Sequence, residues 1–108
     1  MFSEGMLLRI YIAETAKIHD QPAYRYLVEY FRQKGFPGCT VYRGLMGYGH
    51  EKDIKSFGIF RLSLDLPVVV EVVDARERVL GVRDEVESMV DHGLVITQSV
   101  SMSRKVPE

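Results

Sequence analysis

Three histidines, one cysteine and a cluster of glycines are the residues of this sequence whose types could do chemistry. His19, His50 and His92 each adjoin a carboxylate, namely Asp20, Glu51 and Asp91. An imidazole beside a carboxylate suits acid–base work or the orientation of a metal ligand. None of the three stands at HExxH or comparable spacing, and each falls in a loop or near a helix end. Ordinary surface histidines account for all three, and a copper or zinc site at a subunit junction would require convergence in space. Cys39, between Gly38 and Thr40, has no local base or positive motif to activate it and reads as a small packed thiol.

The glycines concentrate in "GLMGYGHEKDIKSFG", residues 44–58. Gly44, Gly47 and Gly49 reverse the order of the dinucleotide fingerprint, and no helix is expected to follow them. No GxSxG elbow or GxxxxGK[ST] loop occurs elsewhere. No catalytic motif is therefore found, and the chain is expected not to be an enzyme. The stretch supports three readings. It can be a hairpin connection whose glycines permit tight curvature. It can be a binding loop, with the backbone N–H groups of Gly47 and Gly49 exposed and Tyr48, His50 and Lys52 lining it. It can be a finger over 49–57 that orders against a partner.

The elements that must position these residues follow from periodicity. "MLLRIYIAE", residues 6–14, alternates as a first strand with Leu8, Ile10 and Ile12 on one face and Arg9 and Tyr11 on the other. Pro22 suits the start of a helix, along which Ala23, Tyr26, Leu27, Tyr30 and Phe31 form a stripe until Gly35 stops it. A second strand is expected over about Thr40 to Tyr48, and a third from around Phe57 past Pro67 into "VVVEVVD". Asp74 and Glu77 resemble a helix start, Val79, Val82, Val86, Met89 and Val90 form its stripe, and Gly93 is placed to end it. In the last strand, "LVITQSVSMS", Leu94, Ile96, Val100 and Met102 share a face.

The order β-α-β-β-α-β is that of an α+β ferredoxin-like sandwich with both helices on one face of the sheet. The open face then carries Tyr11, Val73, Arg9 and Glu71, too apolar for a plain solvent face, and is expected to meet other subunits. The 108 residues suffice for one domain, 1–108, and are too few for two. With 14 basic and 15 acidic residues there is no nucleic-acid footprint. No apolar run approaches the ~20 residues of a membrane helix, so no membrane insertion is expected. The first 15 residues do not read as a signal peptide, and a lone cysteine fits a reducing compartment, so a cytoplasmic location is expected.

The segments "LRIYIAETAKIHDQPAYRYLVEYFRQKGFPGCTVYRGLMGYG", "LSLDLPVVVEVVD" and "MVDHGLVITQSV" resemble the uncharacterised PII-like proteins grouped under a domain of unknown function. More distantly, they are similar to the PII nitrogen-regulatory signalling proteins. The resemblance spans roughly Leu7 to Met102. It implies a homotrimer with sheets facing inward and small-molecule clefts between neighbours, acting as a regulatory or ligand-sensing protein. The ligand would be small, nucleotide-like or anionic in class, and the 49–57 loop would address a partner such as a membrane transporter or channel. It places Gly44, Met46, Gly47, Tyr48, Gly49 and His50 at the cleft, with Glu14, Lys17 and His19 on its rim. Basic groups would come from Lys52, Arg43, Arg104 or Lys105. The PII phosphate-gripping segment after the second helix is here "HGLVITQSVS", without Lys or Arg, and the loop has no tyrosine to modify. The competing expectation is a metal-binding protein or small enzyme that uses the histidines at the same cleft. No cofactor is implied by the residues themselves.

Overall fold

The computed structural model describes residues 1–49, 54–56 and 65–107. Along the chain come β1 (Ser3–Ala13), β2 (Lys17–Ile18), β3 (Gln21–Pro22) and α1 (Ala23–Gln33). There follow β4 (Thr40–Arg43), β5 (Met46–Gly47), β6 (Lys55–Ser56), β7 (Pro67–Asp74), α2 (Arg76–Met89) and β8 (Leu94–Met102). One four-stranded sheet runs β4-β7-β1-β8 with every pairing antiparallel, the strand order of the ferredoxin-like sandwich. His50, Lys52 and the expected start of the third strand near Phe57 lie outside the described residues. No helix of the described residues is long and apolar enough to cross a membrane.

Alternation along β1 divides the sheet into two faces. Leu8, Ile10 and Ile12 lie opposite Val72, Val70 and Val68 of β7, and all six are buried beneath the helices. From α1, Ala23, Leu27 and Phe31 complete this core, and from α2 Val79, Val82 and Val86 do so. Phe36 stands edge-on to Phe31, ring centroids 5.3 Å apart. Gly35, at φ +81°, provides the left-handed turn just after the α1 cap at Lys34. Cys39, just ahead of β4, packs against the same core, and burial pushes its thiol up to about 11.

Four boundaries differ from the sequence expectation, each for a tertiary reason. The first strand starts at Ser3 because β8 supplies partners as far as the Ser3–Met102 pair. The second strand stops at Arg43, and Met46–Gly47 leaves the main sheet to pair with Lys55–Ser56. Asp74 is still held in the ladder opposite Met6, so Ala75 takes the cap position of α2. The Asp74 carboxylate instead accepts from the Ala75 N–H at 2.8 Å and from Arg78 Nε at 3.2 Å. Helix α2 ends at Met89 with Val90 extended, three residues before Gly93. Gly93 serves a close approach: a Cβ there would lie 2.4 Å from the Tyr11 carbonyl oxygen.

The apolar stripe of β8 points away from the helices. Leu94 lies opposite Tyr11, Ile96 opposite Arg9 and Val100 opposite Gly5, so the stripe belongs to the open face. Val95, opposite Ile10, is the β8 residue that reaches the helix-side core. This strand therefore adds its apolar surface to the sheet face turned away from the helices.

Gly81 and Gly93 are expected to respond oppositely to a methyl group. Gly81 sits inside α2 with nothing within 4 Å of an added Cβ, so Gly81→Ala should stabilise by about 0.5–1 kcal/mol. Gly93→Ala should destabilise by about 1–3 kcal/mol through the backbone clash. Urea midpoints of the two variants against the parent chain check both signs. Cys39 is expected to alkylate slowly with iodoacetamide at pH 8 when folded and fast in urea. Because its folded pKa is raised, its contribution to stability is complete below the unfolded thiol pKa and falls as pH rises towards about 11.

Candidate functional site

The C-terminal half of β1 carries the chain to the rim of a cleft of about 820 Å³. One wall comes from the crossover 15–18 and the start of α1 at Ala23. A second is the exit of α2, Met89 to Gly93, leading into Leu94 of β8. The third consists of Gly47, Tyr48 and Gly49 with Asp65 and Pro67. Chain segments far apart in sequence meet here because β1 and β7 are neighbours and α1 begins where α2 ends, at the same end of the sheet.

Short bonds fix the walls. The Thr15 N–H and hydroxyl both donate to Asp65 Oδ1, at 3.1 and 2.9 Å. The Glu14 N–H donates to the Leu66 carbonyl at 3.0 Å and the Ala23 N–H to the Ala16 carbonyl at 2.8 Å. Gly44 donates its N–H to the Pro67 carbonyl at 2.7 Å. Cβ atoms at Gly44 and Gly47 would stand 2.8 and 3.1 Å from Pro67 Cγ, so these two glycines let the β5 segment lie on the proline ring. Gly49 has nothing within 4 Å of an added Cβ and borders open space.

The lining is apolar at Ile12, Ile18, Met89 and Val90 and polar at Thr15, Lys17, Asp65, Asp91 and His92. Such a surface can bury a flat organic body while a few polar groups orient it. The charges are mixed in sign, so a bare polyanion would meet Asp65 and Asp91 as well as Lys17. Among the described residues no group of three or more His, Cys, Asp and Glu is placed to hold a metal ion.

Of the residues singled out from the sequence, Gly47, Tyr48, Gly49, Lys17 and His92 line the cleft. Met46 is exposed beside it, and Gly44 supports its wall from behind. Glu14 faces a different depression and forms an ion pair with Arg43. His19 sits with Asp20 at the tip of the β2–β3 hairpin, both at positive φ, and its ring lies 5.2 Å from that of Tyr26. Arg104 is at the far end of the sheet, where it donates to the Val73 carbonyl at 2.8 Å. Thr15, Asp65 and Asp91 join the lining without a sequence signal of their own, and only the adjacency of Asp91 to His92 marks that loop in the sequence.

At the middle of the open face, Arg9 Nε donates to Glu71 Oε2 at 2.7 Å, and the Tyr42 hydroxyl donates to the same oxygen at 3.2 Å. The bond to Glu71 is the main cause holding the Arg9 guanidinium above its usual range. Burial and the bond to Glu71 likewise raise the Tyr42 phenol.

Residues 5–102 match the family DUF190, described as an uncharacterized ACR. A UPF0166 protein of Aquifex aeolicus is 35% identical over 96 residues, covering 89% of this chain and 90% of that protein. A UPF0166 protein of Methanocaldococcus jannaschii is 35% identical over 94 residues, covering 86% of each chain. Among solved structures, the nitrogen regulatory PII-like protein CPII from Thiomonas intermedia K12, bound to ADP, AMP and bicarbonate, superposes with a TM-score of 0.63 at 16% identity. That match covers 96% of this chain and 92% of CPII. A putative PII-like signaling protein from Thermus thermophilus superposes with a TM-score of 0.61 at 20% identity, covering 94% of this chain and 89% of that one. The fold is thus PII-like, and the chain belongs to the DUF190 (UPF0166) family.

Proposed function

We propose that this chain is a PII-like regulatory protein that binds a small ligand, with no bond-making step. Three copies assemble through their open sheet faces, and the cleft lies at the boundary between neighbours. The observation that carries this reading is the position of the cleft. Its rim includes Tyr11 and Leu94, which stand opposite each other on the open face, while its third wall, Gly47 to Gly49, runs directly into the 49–57 segment. A ligand there would touch both the contact between copies and the start of the segment proposed to address a partner. Its binding energy could then bias that segment, provided the ligand prefers one arrangement over the other.

A volume of about 820 Å³ is in the range of pockets that hold nucleotide-sized molecules. The apolar wall of Ile12, Ile18, Met89 and Val90 suits a base or similar flat group. Lys17 offers its ammonium to an anionic end. The nucleotides and bicarbonate named with CPII are the first candidates to try. A cytoplasmic location and a transporter or channel as the addressed partner complete the reading.

Thermal shift and calorimetry with ADP, AMP, ATP and bicarbonate test it. A ligand at a hundred times its dissociation constant should stabilise the fold by ~2.7 kcal/mol. Lys17 is exposed, so Lys17→Ala should leave the unliganded melting temperature unchanged and weaken an anionic ligand about tenfold. No shift with any of these compounds counts against the proposed ligand class. Turnover of a nucleotide, or stoichiometric metal lost in His92→Ala, would overturn the binding-only reading.

A further inference from the structure

The sheet face turned away from the helices holds one ion pair within an apolar field. Leu7, Val69, Val73 and Ile96 share that face with Arg9 and Glu71, which lie opposite each other on β1 and β7. Leu7 and Val69 are already buried, whereas Tyr11 and Tyr42 at the margin are 36% and 44% exposed. The Arg9 and Glu71 side chains retain 26% and 23% of their exposure. Glu71 Oε2 takes both local bonds, from Arg9 Nε and from the Tyr42 hydroxyl, while Arg9 NH1 reaches the Tyr11 hydroxyl at 3.5 Å. Among the described residues none of these bonds uses Glu71 Oε1 or Arg9 NH2, and a covering surface can address both atoms.

The chemistry of the face selects its occupant. A hydrocarbon surface would strip water from the pair and return no hydrogen bond. A covering surface of one charge sign would satisfy one member and repel the other. A second copy of this chain carries both signs at the same positions and can satisfy both. Without such a marker, flat apolar strands could pack in several registers of similar energy. We propose that, in the assembly inferred above, Arg9 and Glu71 set the register of the contact between open faces. The Arg9 guanidinium of one copy donates to the next copy's Glu71 carboxylate. The inference rests on the assembly proposed above and adds the residues that specify it.

Charge reversal separates pairing within a copy from pairing between copies. In Arg9→Glu both positions are negative, and in Glu71→Arg both are positive, so neither variant can form the pair alone. Size-exclusion chromatography with light scattering should show each variant, folded by circular dichroism, dissociated at concentrations where the parent chain is assembled. Mixing the two should restore higher-mass species, because the opposite charges then meet only across copies. Assembly of either variant as strong as the parent's, or no gain on mixing, overturns the register-setting role. A monomeric parent chain overturns the assembly itself, a separate outcome. Should a reversal fail to fold, Arg9→Gln and Glu71→Gln remove the charges with less change in bulk, and each is expected to weaken association about tenfold. Unchanged association in both neutral variants also overturns the role.

Discussion

The register of β1 is the constraint on which the other features depend. This strand pairs with β7 on one side and β8 on the other, so its alternation sets the facing of both neighbours. A slip of one residue would turn Leu8, Ile10 and Ile12 out of the helix core and bring Arg9 and Tyr11 into it. Arg9 beneath α1 and α2 would lose its water without gaining Glu71, an uncompensated desolvation. The apolar set thus holds the register on one side, and the ion pair penalises the alternative on the other.

Much of this arrangement is legible in the sequence because it depends on periodicity. The alternation of β1 and the stripes Ala23–Leu27–Phe31 and Val79–Val82–Val86 are local patterns, and the structure buries those residues. The ribbons β2–β3 and β5–β6 are too short for any period to register. Helix ends are less readable because distant partners decide them. Asp74 belongs to the β1 ladder rather than to the helix cap, and Gly93 answers to the Tyr11 carbonyl rather than to α2. The apolar face of β8 is visible in the sequence, but its orientation requires the register against Tyr11 and Arg9.

The candidate site is legible where one segment carries it. Gly47, Tyr48 and Gly49 stand out as a local cluster, whereas the contact of Thr15 with Asp65 joins residues 50 positions apart and has no local signature. Glu14 and Lys17 are near neighbours in sequence yet reach different surfaces. The end of β1 directs Glu14 to Arg43 on the β4 side, and the following turn returns Lys17 to the cleft. The glycines also divide by role. Gly44 and Gly47 accommodate Pro67, so a bulky residue at either would disturb the wall as well as any ligand. Gly49 borders open space and is the cleaner place to alter ligand access.

Assembly and ligand binding would share Tyr11 and Leu94. Both stand at the rim of the cleft and on the open face, and Tyr11 also lies within reach of Arg9 NH1. A neighbour seated on the face would narrow the cleft mouth at these two residues, and a ligand in the cleft would in turn press on the contact. By linkage, each must then change the affinity of the other by the same factor. The strand that positions the core would thus also join the two proposed sites, with no moving domain required.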